Sequence, residues 1–213
     1  MSRFELNELE LIQERMRNQV VIKDGFEKLD YFCGCDVSYG IDDDAIVAFV
    51  TLDNDFNIVE KKKFYDKATF PYIPAFLSFR EGPLIINNYT RLKVTPDVLF
   101  IDGHGIAHPR RLGLASYVGV KLHLPTIGIA KKNLCSEIPS LPVNPSEKSP
   151  MYMDGLEVGH VMKTEKGSNC IYVSPGNLIS VPSSIMVVER MLKGHKLPEP
   201  SRLAHELTRD AKN

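Results

Sequence analysis

Apolar residues at Leu6, Leu9, Ile12, Met16 and Val20 recur in steps of three and four, so residues 5–20 are expected to form one amphipathic helix. The period then changes. Tyr31–Tyr39, Ala45–Leu52 and Phe56–Phe64 read as strands, joined by the short polar links 40–44 and 53–55, and together they predict an antiparallel three-strand meander. After Phe70-Pro71-Tyr72-Ile73-Pro74 the spacing turns helical through Phe76, Phe79, Leu84, Ile85, Tyr89 and Leu92. Val98–Ile101 is a buried strand ending at Asp102-Gly103, residues 112–122 are helical, and Thr126–Ala130 is a second short buried strand. The polar, proline-containing stretch 140–149 is a loop, and it leads into a hairpin with its turn at Asp154-Gly155. Residues 182–193 and 200–212 close the chain as helices.

Consecutive strands followed by strands alternating with helices call for a mixed α/β sheet with helices on its faces, the layout of the ribonuclease H-like fold. No period repeats and no stretch has linker character, so residues 1–213 are expected to form one domain. A hydrophobic fraction of 43% with 25% charged residues excludes a disordered chain. The longest apolar run, Ala45–Val50, is far short of the ~20 residues needed to cross a bilayer. The N-terminal stretch carries charge every few residues, so no secretory leader is expected and a cytoplasmic location is. A net charge of −1 gives no sign of nucleic acid, although a local basic patch can bind phosphates on a neutral protein. Cys33, Cys35, Cys135 and Cys170 contain no C-x-x-C pair, and Cys33 and Cys35 alternate in an apolar run as small buried residues.

Asp36 interrupts the first apolar strand and Asp102 ends the VLFI strand. A buried carboxylate is costly without a partner. If the two strands are neighbours their carboxylates converge, and a divalent cation such as Mg²⁺ relieves the repulsion. Asp102-Gly103 taken alone is equally an ordinary strand end, and Glu81 taken alone is a solvated residue paired with Arg80. The segment 102–111 admits three readings. A dinucleotide fingerprint fails because its third glycine would fall at His108. A zinc pair of His104 and His108 needs a helix, which Gly103, Gly105 and Pro109 oppose. The third is a loop that approaches a phosphate or base, with His108 on a phosphate oxygen and Arg110-Arg111 on the nucleic-acid chain. A surface turn with solvated arginines competes with it on equal terms. The two prolines around Tyr72-Ile73 make a stiff apolar tip, either a base wedge or a rigid turn. Lys131-Lys132 is either solvated or phosphate-directed, and Asp42-Asp43-Asp44 is a hairpin turn.

The strings GCDVSY (34–39), FPYIPAFLSFREGP (70–83), PDVLFIDGHGIAHPRRLGLASYVG (96–119), PTIGIAKK (125–132), VSPGN (173–177) and PEPSRLAHELT (198–208) together resemble endonuclease V, over residues 5–210. The resemblance implies a ribonuclease H-like repair nuclease that uses Mg²⁺, with Mn²⁺ substituting. It would act on deoxyinosine in single- or double-stranded DNA and cut the second phosphodiester bond 3′ to the lesion, leaving 3′-hydroxyl and 5′-phosphate ends. By the same resemblance Asp36 and Asp102 are the metal-binding aspartates and Glu81 is the active-site glutamate. Lys131 lies near the scissile phosphate. His205 falls at a position that is histidine or aspartate in the family, which leaves a direct metal contact open. Tyr72 is the wedge, Gly82, Gly103 and Gly105 form the base pocket, and His108 lies beside the active site. Position 104 varies in the family, so His104 receives no role. An inosine-specific endoribonuclease and a non-catalytic inosine-binding module are the alternatives. No membrane partner is implied, and the chain is expected to be a monomer.

Overall fold

The computed structural model describes residues 3–209. Its helices are α1 (Arg3–Arg17), α2 (Leu77–Tyr89), α3 (Leu114–Leu122), α4 (Val181–Arg190) and α5 (Glu199–Arg209). The strands are β1 (Phe32–Tyr39), β2 (Asp44–Leu52), β3 (Ile58–Lys67), β4 (Val98–Asp102), β5 (Thr126–Ala130), β6 (Lys148–Met153), β7 (Leu156–Met162) and β8 (Ile171–Asn177). The sequence extends the last helix to residue 212; residues 210–212 lie outside the described residues.

All eight strands join one sheet in the order β3-β2-β1-β4-β5-β8-β7-β6. The first three form the expected antiparallel meander. β1, β4 and β5 run parallel, and β8, β7 and β6 continue the sheet antiparallel. This is the ribonuclease H-like arrangement. Among the described residues no helix is long and apolar enough to cross a membrane.

Successive residues of a strand point to opposite faces of the sheet. Phe32, Val98 and Phe100 pack with Ile185, Val188 and Ala204 of α4 and α5. Cys33, Cys35, Leu99 and Ile101 pack with Leu84 and Val118 of α2 and α3. The same alternation sends Asp36 and Asp102 to the α5 face. Cys35 pairs with Ile101, so the next step of the parallel register sets Asp36 beside Asp102.

Two features depart from the pattern. The α1 stripe turns inward on Gln13, which is fully buried, while Ile12 stays 41% exposed. β8 is the second, because Pro175-Gly176 looks like a turn in the sequence. Pro175 occupies a ladder position opposite Ile127 beside a register shift, where a missing N–H is tolerated. Its carbonyl accepts from the Ile106 amide at 2.9 Å. That bond docks the 103–113 loop on the sheet, and Gly105 makes it possible: a Cβ there would lie 2.0 Å from the Pro175 oxygen. At the β6–β7 turn, in contrast, Asp154 (φ 51°) and Gly155 (φ 73°) are both left-handed, as the expected two-residue hairpin requires.

Candidate active site

Asp36 is 5% exposed. Its Oδ2 accepts from the Thr208 hydroxyl at 2.6 Å and faces His205 Nδ1 at 3.2 Å, both on α5. Donor atoms of Asp36, Asp102 and His205 all lie within 4.8 Å of one another. Lys131, just past β5, donates to Asp102 Oδ2 at 2.5 Å. Oxygen and imidazole donors of this kind suit a hard divalent ion. The electrostatics point the same way. Burial works to raise the Asp36 carboxyl, but the hydrogen bonds from His205 and Thr208 overcome it and hold Asp36 below its ordinary value. Asp102 is raised by burial, with Lys131 opposing and Asp36 adding to the rise. Glu81 is pushed up to about 8 by burial and by the charges of Asp102 and Asp36. Three carboxyl groups thus crowd a site with one lysine, an excess of negative charge that a cation would offset.

Glu81 is not the solvated partner of Arg80. Arg80 is buried, bonds Asp43 Oδ1 at 2.7 Å and stacks over the Tyr39 ring, while Glu81 turns toward the aspartates. It lies outside the Asp36–Asp102–His205 donor group.

Beside this cluster is a cavity of about 270 Å³, with Tyr72, Ile73, Gly103, His104, His108 and Lys132 in its wall. Asp102 and Gly103 are adjacent in sequence, so the end of β4 serves both places. Tyr72 stands 69% exposed. The loop behind it is fixed at one atom. The Ala75 carbonyl accepts from His108 Nε2 at 3.0 Å, Gln13 Nε2 at 3.1 Å and Arg110 Nη2 at 3.1 Å. Ala75 itself has φ 65°, a left-handed conformation that these bonds hold in place.

The fold gives the remaining predicted residues packing and hydrogen-bonding partners of their own. Gly82 does not line the cavity. It packs α2 on α3, where an added Cβ would lie 2.6 Å from the Tyr117 ring. Gly105 faces β8 rather than the cavity. His108 is 4% exposed, with Nε2 on Ala75 and Nδ1 accepting from the Arg110 amide, so neither nitrogen is free for a phosphate. Arg110 is held by Gln13 and Glu10, and Arg111 by the Met153 carbonyl and Asp154. Sequence reading missed Gln13 and Thr208, and it gave no role to His104, which lines the cavity.

Burial lowers the His108 imidazole from 6.5 to about 4. The unfolded chain therefore takes up that proton near pH 6.5 and the folded chain only near 4. The stability linked to His108 is complete above the upper value and falls through the window, by roughly 3 kcal/mol in all. Glu81, raised rather than lowered, favours the fold in the opposite direction, so the comparison must isolate one residue. Urea unfolding at pH 7 and pH 4.5 is expected to show a smaller acid loss for His108→Gln than for the parent chain. Equal losses would mean that His108 is not held neutral.

The model of the endonuclease V family matches residues 14–206. An endonuclease V of Archaeoglobus fulgidus is 40% identical over 216 residues, covering 100% of this chain and 96% of the relative. A crystal structure of endonuclease V from Streptomyces avermitilis superposes with a TM-score of 0.88 at 30% identity, over 97% of this chain and 92% of that one. Ciona intestinalis endonuclease V, crystallised with a 24mer DNA containing an inosine followed by a ribo-adenosine, gives 0.87 at 26% identity, over 99% and 98%.

Proposed function

This chain belongs to the endonuclease V family, and on that premise we propose that it cleaves DNA at deoxyinosine, hydrolysing the second phosphodiester bond 3′ to the lesion. The observation that carries the reading is the pairing of two places on one strand end: a base-sized cavity against Gly103 and a divalent-cation donor set at Asp102. A base held in the first leaves the backbone to span to the second, which accounts for a cut displaced from the lesion.

In this mechanism the hypoxanthine leaves the stack and enters the cavity, and Tyr72 fills the gap it vacates. Inosine pairs weakly, so extrusion already favours it before the pocket reads the base. Asp36, Asp102 and His205 would hold a divalent ion, which we take to be Mg²⁺ with Mn²⁺ as substitute. Held there, it would supply Lewis acidity at the scissile phosphate and make water a better nucleophile. Lys131, paired with Asp102, places a positive charge where the phosphate arrives. Glu81 borders the cluster, and its carboxylate would accept a proton from the attacking water. The hydrolysis leaves a 3′-hydroxyl and a 5′-phosphate.

The test uses a 5′-labelled duplex with one central deoxyinosine and, beside it, a strand with ribose inosine, each with Mg²⁺ and with EDTA. A Mg²⁺-dependent product ending one nucleotide 3′ of the deoxyinosine is expected. Cleavage of the ribose strand alone would move the substrate to RNA. Tight binding without a product on either strand would leave a lesion binder and end the catalytic reading.

A further inference from the structure

The Thr208 hydroxyl is fully buried and lies between two acceptors, Asp36 Oδ2 at 2.6 Å and the His205 carbonyl at 2.9 Å. It has one proton to give. The carboxylate is charged and at shorter range, so the proton goes to Asp36. The Thr208 carbonyl in turn accepts from Ser38 Oγ at 3.3 Å, so this one residue of α5 is tied to β1 at two places, Asp36 and Ser38. His205 Nδ1 approaches the same Oδ2. Two groups of α5 thus converge on one oxygen of Asp36 and leave its other oxygen for the site.

We propose that Thr208 is a positioning residue for the metal site: its hydroxyl occupies Oδ2 of Asp36, fixes the carboxylate plane, and presents Oδ1 to the divalent ion. This role rests on the cation reading of the Asp36–Asp102–His205 cluster. The α5 backbone over β1 sets the place of the hydroxyl, and the hydroxyl sets the rotamer of the ligand. Without it the carboxylate rotates about its last bond between the ion and the buried side of α5. Partners of this kind hold metal ligands in orientation, and their loss costs about 10- to 100-fold in metal affinity.

Thr208→Val keeps the branched shape and removes the donor, while Thr208→Ser keeps the donor and removes the methyl. Direct Mn²⁺ binding, read from the loss of the free-ion electron paramagnetic resonance signal, separates them without any turnover. The parent chain is expected to bind, Thr208→Val to bind about 10-fold or more weakly, and Thr208→Ser to return to within about threefold of the parent. Thermal unfolding in EDTA monitors the fold of each. A Thr208→Val variant that unfolds earlier but binds Mn²⁺ like the parent would make the residue merely structural and overturn the proposal, as would a serine variant as weak as valine. A parent chain that binds no Mn²⁺ would overturn the cation reading itself, and the parent arm alone reveals that.

Discussion

Asp102→Asn is expected to lower the rate of deoxyinosine cleavage by about a thousandfold or more, equivalent to ~4 kcal/mol of barrier, with lesion binding retained. Asp36→Asn should behave alike. The two outcomes divide because the structure divides the work. The donor oxygens of Asp36 and Asp102 face α5, whereas the cavity is walled by Tyr72, Gly103, His104 and Lys132. Asparagine keeps the shape of aspartate but carries no charge, so the ion loses a ligand and the base pocket loses nothing. The unpaired Lys131 is 40% exposed and can be solvated by water.

The same substitution carries a second sign that activity alone would not show. Burial chiefly raises Glu81 and Asp102, and in EDTA the mutual repulsion of Asp36, Glu81 and Asp102 adds to the rise. Removing one carboxylate relieves that repulsion, so Asp102→Asn should unfold at a higher temperature than the parent in EDTA, by about 2–4 °C for each kcal/mol relieved. Adding Mg²⁺ should stabilise the parent more than the variant. An active Asp102→Asn chain would remove the aspartate from the metal site. An inactive one that is also less stable in EDTA would point to misfolding instead.

How much of this could be read from sequence depended on whether a residue acts through its own strand or through a distant one. Asp36 and Asp102 were visible because a carboxylate stands out in an apolar run, and strand alternation placed both on one face. Thr208 and Gln13 were invisible because their partners lie 172 and 62 residues away. A glutamine one position off the α1 stripe gives no sign that it will be buried against Ala75. β8 was lost because proline and glycine ordinarily mark turns, and only the bulge opposite Ile127 makes a proline acceptable there. The packing of the glycines was hidden in a related way. Gly82 and Gly105 are each set where a neighbouring ring or carbonyl already fills the space that a Cβ would take. The arginine pair followed the same logic: Arg110 and Arg111 looked free for phosphate until the fold supplied Glu10 and Asp154.

Gly34→Ala should produce the largest loss of stability from the smallest change in volume. A Cβ at position 34 would lie 2.1 Å from the Pro200 carbonyl oxygen and 2.6 Å from the Ser201 amide nitrogen, both backbone atoms of α5. Neither can rotate away, so the first turn of the helix must lift from β1 by roughly an ångström, the distance that restores ordinary van der Waals separation. That movement opens the core where Ala204 and Leu207 are packed. Overpacking against a rigid backbone costs about 1–3 kcal/mol, and the loosened packing beneath α5 brings the expected total to about 4 kcal/mol. The site responds too, because His205 and Thr208 reach Asp36 only while α5 lies on Gly34. Urea unfolding should therefore show an early transition, and the protein still folded should bind Mn²⁺ weakly. Gly40→Ala, just beyond the same strand, is the control: its nearest neighbour would be 3.8 Å away and its φ is −97°. If Gly34→Ala matched that control in both stability and metal binding, α5 would not be the helix that builds the site.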